Sequence, residues 1–434
     1  RSAILPGLRA RLARLDQAKT PASDAHWLQF LLDAETALRD HLRGRCPPLA
    51  FIERPVGGLQ GTSATMFARR TPAGSAIRVL DPGSEEARTI FSTKAGFIMD
   101  LCPSWDGQRL LMSYKEKVDQ PYHVWEIRAD GTGLRQITKG PYHDFNPVEL
   151  PDGRICFSSS RVEAYSMCQN YLACALHVCN ADGSDLHRID FTTLCTNAPA
   201  VMPDGSLIAT RWEYQDKSIF SWQGLWTVNP NGRSLKLWYG NTITVPNSLY
   251  GAKPIPGTSH QVVMTMTAHH YPPIGDLALI DRRHGVEEPA AMRQLTFATQ
   301  YRPTKGKDFR DKNWGPGDRF YPWAYCDPWP LASDLFVASY GGGNDGSHQF
   351  RLCLLTDAGL QRTLYEEPGK SFYSPVPLAP RPRPCAIPGR PATGNGEGTF
   401  LVKDIYRGLR RQGVKPGQVR RLRGMEVLPK KYNT

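Results

Sequence analysis

Ala198-Pro199-Ala200-Val201-Met202-Pro203-Asp204-Gly205 is the stretch that decides the fold: a small residue, a proline, a short apolar run and an Asp-Gly turn. The phrase recurs with variation as Cys102-Pro103-Ser104-Trp105-Asp106-Gly107, Asn146-Pro147 to Asp152-Gly153, Ala252-Lys253-Pro254-Ile255-Pro256-Gly257, Pro328-Trp329-Pro330-Leu331 and Ser374-Pro375-Val376-Pro377. A repeat of roughly 45 to 55 residues made of short strands predicts blades stacked around an axis. The outer half of each blade repeats as well, as Val124-Trp125-Glu126-Ile127 before Asp130-Gly131, Ala175-Leu176-His177-Val178-Cys179 before Asp182-Gly183, and Leu225-Trp226-Thr227-Val228 before Asn231-Gly232. Asp-Gly and Asn-Gly permit positive φ in a tight hairpin, so they mark turns between neighbouring strands.

The expected class is all-β, a β-propeller, and inner strands near 103, 147, 199, 254, 328 and 375 make six blades. The strands between 51 and 92 lack an inner partner, whereas 373–378 follows the last full blade. Ring closure by that late strand removes the open edges. The predicted domains are therefore an N-terminal helical segment 1–48, a propeller 49–380 and a Pro-rich exit with a C-terminal extension, 381–434. Trp27, Leu28, Leu31, Leu32, Leu38 and Leu42 recur at helical spacing in the first of these. Pro380, Pro382, Pro384, Pro388 and Pro391 stiffen the exit, and 399–406 and 419–427 read as two strands outside the ring.

The chain has 434 residues, with 53 Lys plus Arg against 41 Asp plus Glu, a net charge of +12. The cations gather at the two ends and in a Gly- and Pro-rich insertion from 299 to 320. No aromatic residues interleave with them in the nucleic-acid manner, so a solvated basic surface is expected rather than nucleic-acid binding. No apolar run reaches the 18 to 20 residues or so of a membrane span. Ten cysteines are many for a cytosolic protein, and Cys168, Cys174, Cys179 and Cys195 suggest disulfides if the compartment is oxidising, or else free buried thiols. Their spacing lacks paired C-x-x-C knuckles, which weighs against zinc. The first residue is Arg rather than Met, which suggests that an upstream segment was removed. The expected location is periplasmic or secreted, although no signal peptide is visible.

In a propeller, the loops from second to third strand and those entering each inner strand converge on one face. The repeat alignment places there Lys115, Arg161, Arg211, Glu213, Tyr214, His269, His270 and Tyr340 from the first set, and Asp100, His143, Asp144, Asn146, Asn197 and Asp327 from the second. That mixture suits a polar ligand. His269 and His270 are candidates for a catalytic base or for ligands to a divalent metal, and adjacent strand residues point to opposite sides, so one of them faces the channel. Tyr340 or Tyr214 is the candidate acid. Arg161 and Arg211 are the candidate carboxylate clamp, and an ion pair of Arg211 with Glu213 bracing the blades is the structural alternative. Lys115, Asp144, Asn146 and Asp327 complete the ligand-binding set. No nucleophile elbow, phosphate-binding loop, dinucleotide fingerprint or H-E-x-x-H occurs.

Thr210-Arg211-Trp212-Glu213-Tyr214, Ala268-His269-His270, Ala278-Leu279-Ile280-Asp281 and Asp327-Pro328-Trp329-Pro330-Leu331 resemble phrases of the hydrazine synthase alpha subunit family, as do 374–384 and Val402-Lys403-Asp404-Ile405-Tyr406. The resemblance covers about 38–429. It implies a propeller of six blades followed by domains carrying covalent c-type haem, in an enzyme that joins nitrogen compounds. Covalent haem requires C-x-x-C-H, which is absent from this sequence. No haem chemistry therefore transfers to any residue here. Either a haem part follows Thr434, or the scaffold has another role.

Three functions follow as expectations: binding of a polar or anionic ligand at the channel mouth, polysaccharide lyase-type action on an anionic glycan, or non-catalytic docking of a partner protein or a further domain. A redox subunit is conditional on a haem part elsewhere.

Overall fold

The structure, a computed structural model, describes residues 36, 40, 44–56, 72–83, 86–166, 172–192, 194–213, 223–243, 245–268, 272–298, 323–342, 349–389, 402–424 and 430. The ring starts with β1 (Leu49–Pro55), β2 (Ser75–Asp81) and β3 (Glu86–Thr93). A second sheet holds β4 (Phe97–Pro103), β5 (Arg109–Lys115), β6 (His123–Arg128) and β7 (Arg135–Gln136). The third holds β8 (Asp144–Glu149), β9 (Ile155–Ser159), β10 (Ala175–Cys179) and β11 (His187–Arg188). Next come β12 (Thr196–Val201), β13 (Leu207–Trp212), β14 (Gln223–Val228) and β15 (Lys236–Tyr239), then β16 (Ser248–Pro254), β17 (Gln261–Thr267), β18 (Asp276–Asp281) and β19 (Met292–Gln294). These two groups form one eight-stranded sheet through the parallel pairing of Gln223 with Ser248. The last sheet is β20 (Ala324–Pro330), β21 (Leu335–Gly341), β22 (Phe350–Thr356) and β23 (Gln361–Tyr365).

β24 (Lys370–Pro377) then pairs antiparallel with β1, giving the order β24-β1-β2-β3. The late strand thus completes the first sheet. Arg54 of β1 fastens the join. Buried between the rings of Phe97 and Tyr373, at 4.8 and 4.5 Å, its guanidinium donates to Ile98 O at 3.0 Å and to Met99 O. Neighbouring sheets pack face to face around such seams. Leu111 and Val124 of the second sheet, Phe157, Leu176 and Val178 of the third, and Leu207 of the fourth share one core. Each large apolar side chain buried there contributes about 1.5–3 kcal/mol. The architecture is a β-propeller.

The recurring proline has a physical reason. In the inner strands the register slips at one equivalent place, between Phe145 and Val148, Asn197 and Ala200, Tyr250 and Lys253, and Cys326 and Trp329. Asn146, Ala198, Gly251, Asp327 and Ser374 take φ of 51°, 51°, 66°, 52° and 50° there. This is a β-bulge whose first residue is left-handed. Pro147, Pro199, Pro328 and Pro375 come second, where the missing N–H costs no ladder bond. The first residue's N–H leaves the ladder and is satisfied by the preceding sheet. Asn146 N donates to Ser113 Oγ at 2.9 Å and to Asp100 Oδ2 at 3.2 Å, and Ala198 N donates to Asn146 Oδ1 at 3.2 Å. Gly251 N reaches Thr210 Oγ1 at 3.2 Å, and Ser374 N reaches Asp327 Oδ2 at 2.9 Å. The bulges therefore stitch neighbouring sheets together around the axis.

Several expectations are corrected. The described cysteines are free thiols, and all but Cys385 are buried. Cys174 and Cys195 share one apolar core, Cys102, Cys156 and Cys179 another, and burial raises Cys46 and Cys179 to about 12; Cys168 lies outside the described residues. No disulfide is present among them. The strands expected at 399–406 and 419–427 are not formed in the described part, 402–424. Turns and a short 3-10 helix, Leu409–Gln412, occupy it, because the stretch is basic and mostly exposed and has no sheet edge to join. Residues 36, 40 and 44 are helical; the rest of the expected N-terminal helices and the insertion 299–320 lie outside the described residues.

Candidate functional site

The axial channel narrows to a waist of about 80 Å³ at the bulges, lined by Asp100, Asn146, Tyr250, Lys253, Asp327 and Ser374 among others. Asp100 accepts from Ser113 Oγ at 2.6 Å and from Asn146 Nδ2 at 2.6 Å, yet burial outweighs these donors and raises its pKa. The Lys253 ammonium lies 5.4 Å from the Trp329 ring centre and has no hydrogen-bond or ion-pair partner among the described residues. Burial lowers its pKa, against the opposing pull of Cys102, Asp100 and Asp327. The waist can hold a small polar group between one cation and two carboxylates.

Toward the face of the Asp-Gly turns the channel opens into a chamber of about 720 Å³. Residues 378–389 cross that face as a strap. Leu378 N donates to Pro48 O at 2.8 Å, Arg381 N to Trp105 O at 2.9 Å, and Arg381 Nη2 to Pro103 O at 2.7 Å. The Arg381 guanidinium lies 4.8 Å from the Trp105 ring and 5.2 Å from that of Trp329. Further along, Arg154 Nη2 and Asn231 Nδ2 hold the carbonyls of Ile387 and Pro388 at 3.2 and 3.1 Å. Glycine is required where the strap touches the turns: a Cβ on Gly205, at φ 82°, would stand 2.4 Å from Cys385 O.

The residues read from the sequence separate into three groups. Asn146 and Asp327 line the waist. Arg161 and Asp144 are paired: Nε and Nη2 reach the fully buried carboxylate at 3.0 and 2.7 Å, and Ser159 Oγ donates to it at 2.6 Å. Desolvation raises the Asp144 pKa, but nearby His123 and the bonds from Arg161 and Ser159 outweigh it and leave a lowered value. Arg211 is likewise engaged, with Asp190 at 2.5 Å and with Glu213. These two guanidiniums brace strands. Lys115, buried, donates to Val118 O at 2.8 Å beside the Tyr122 ring, and burial brings its pKa down to about 8. His143 nearby falls to about 4 through burial and the Lys115 charge. Tyr340 lies in a stack, 5.5 Å from Trp323 and 4.5 Å from Tyr325. Tyr214, His269 and His270 lie outside the described residues.

Lys253 was absent from the sequence-derived set, although its position carried a signal. Register places Cys102, Val148, Ala200, Trp329 and Val376 at the same point of the other inner strands. A single cation among these apolar or small residues is the anomaly. Arg381 and the strap had no comparable signal. Among the described residues no group of three His, Cys, Asp or Glu side chains is placed to hold a metal.

No family model matches the sequence. A curated relative, the hydrazine synthase subunit alpha of Kuenenia stuttgartiensis, is 26% identical over 127 residues, which is 28% of this chain and 16% of the relative. This chain is similar to hydrazine synthase subunit alpha. The solved hydrazine synthase of Kuenenia stuttgartiensis superposes with a TM-score of 0.62 at 17% identity, over 81% of this chain and 49% of that one. This chain thus spans about half of that relative. TolB from Acinetobacter baumannii superposes with a TM-score of 0.48 at 14% identity, over 82% of this chain and 73% of its own. The likeness to hydrazine synthase alpha lies in the propeller fold, and Cys-x-x-Cys-His does not occur in the sequence.

Proposed function

We propose that this chain is a six-bladed propeller acting outside the cytoplasm, whose axial channel binds a small polar or anionic ligand. The blade count treats the eight-stranded sheet as two blades joined by their one parallel pair. The observation that carries the binding reading is Lys253. A half-buried ammonium facing a cavity without a partner is costly, and a ligand acceptor removes that cost. Isothermal titration with acetate and with inorganic phosphate tests it. Binding to the native protein that is lost in Lys253→Met supports the reading; absence of binding, or equal binding by the variant, overturns it. The extracytoplasmic location rests on the resemblance and is checked by fractionating cells that express the full gene.

Docking is the second reading. The relative is named as one subunit of an assembly, and Phe191, Phe297 and Trp323 are exposed on connections that enter inner strands, hence on one face. Alanine at all three should weaken a complex isolated from the native source. The ion pairs of Arg161 and Arg211 weigh against lyase action on an anionic glycan, because a carboxylate clamp needs a free guanidinium.

A further inference from the structure

The chamber on the turn face has a composition unlike the waist. Pro47, Pro203, Pro256 and Pro380 form much of its wall, with the indoles of Trp105 and Trp329. The strap closes one side, so the ring and the segment after it build the chamber jointly. Its size is that of a pocket for a drug-sized molecule. Two cations flank Trp329: Lys253 at 5.4 Å and Arg381 at 5.2 Å from the ring. Glu149 also lines the chamber, and its charge is already engaged by Arg109 at 2.7 Å. The chamber therefore offers an apolar, aromatic body with a cation at its inner end that makes no hydrogen bond or ion pair among the described residues and feels Asp100 and Asp327 only through space.

The geometry points to an organic anion with an apolar body as the chamber's ligand, its carboxylate or sulfonate on Lys253 and its hydrocarbon part against the proline and tryptophan walls. This deepens the proposed channel site and rests on it. The apolar part supplies affinity by leaving water, and the charge supplies orientation. A small hydrophilic anion would use the cation without the walls. Aliphatic prolines and indoles recognise a flat ring by stacking and contact rather than by hydrogen bonds, so shape selects the body and Lys253 selects the sign.

The probe is 8-anilinonaphthalene-1-sulfonate, whose fluorescence rises in an apolar site, titrated into the full chain at low ionic strength. The expected result is saturable binding, displaced by benzoate at concentrations at least tenfold below those needed for acetate. Lys253→Met should weaken it at least tenfold while leaving binding of uncharged N-phenyl-1-naphthylamine within twofold. Circular dichroism and the thermal midpoint establish that the variant is folded. Gly107→Ala supplies a second variant, because its Cβ would stand 2.6 Å from Ala379 N and push out the strap wall; it should weaken both probes. Absence of saturable binding, equal displacement by acetate and benzoate, or binding indifferent to Lys253→Met overturns the inference. If acetate binds through Lys253 and the sulfonate probe does not, the chamber proposal falls while the polar-ligand reading stands. If neither binds, both fall.

Discussion

Replacing Asp144 by alanine separates a structural brace from a ligand clamp at Arg161. The carboxylate is fully buried and accepts from Ser159 Oγ at 2.6 Å and from Arg161 Nε and Nη2 at 3.0 and 2.7 Å, with His123 Nδ1 3.7 Å away. Its removal leaves the guanidinium with Lys139 O at 2.6 Å and the Tyr142 face as its remaining contacts. Breaking a buried pair by removing one partner costs about 3–5 kcal/mol. With the ring unfolding as one unit of roughly 330 residues at about 2.1 cal/mol/K per residue, the midpoint should fall by about 4–7 °C. Urea unfolding followed by circular dichroism and tryptophan emission measures the loss. Arg161→Ala should cost a similar amount, and the double variant less than the sum by about 1.5 kcal/mol or more. The pH dependence has a definite sign. Asp144 has a lowered folded pKa, so its contribution is present above the ordinary carboxylate range near 3.9 and is lost as pH falls through the folded value. The gap between native and Asp144→Ala should be constant above about pH 5 and narrow below about pH 4. Additivity of the two single variants within about 0.5 kcal/mol would refute the brace.

Arg54→Met, at the seam closed by β24, should cost about 3 kcal/mol through lost charge-assisted bonds and ring contacts, measured by urea unfolding; a loss below about 1 kcal/mol contradicts the stapling role. Gly107→Ala should speed limited proteolysis within 378–389 several-fold with the strands' circular dichroism unchanged, and an unaltered cleavage rate would show that the strap tolerates the clash. Asp100→Asn should stabilise the protein at neutral pH. The folded pKa of Asp100 is raised, so its ionised form opposes folding above that value and the penalty vanishes toward the unfolded pKa. The advantage of the variant should shrink on acidification through that window; an advantage that grew would have the wrong sign.

Much of the architecture was legible because a propeller repeats. One phrase copied along the chain marks inner strands, and the unpartnered strand at 51 demands a late partner, which β24 supplies. The same ruler placed Asn146 and Asp327 on the axis. It offered the Arg211–Glu213 pair as one of two readings, and that pair is formed, but it left the partner of Arg161 open. Sequence spacing shows that Arg161 emerges at the face, but not that Asp144, 17 positions earlier, lies directly beside it across β8 and β9. For the cysteines the sequence left disulfides and free buried thiols open; Cys174 and Cys195 do meet in one core, as free thiols.

By itself the sequence determined the strands, their turns and the closure of the ring, because hairpin pairing and period-two burial are local and every blade restates them. The tertiary structure alone decided the site. Lys253 acquires meaning only when the inner strands converge and leave its ammonium without a hydrogen bond or ion pair among the described residues, and the chamber exists only because the strap returns across the turns. Both depend on contacts between residues more than a hundred positions apart, whose energies no local pattern encodes.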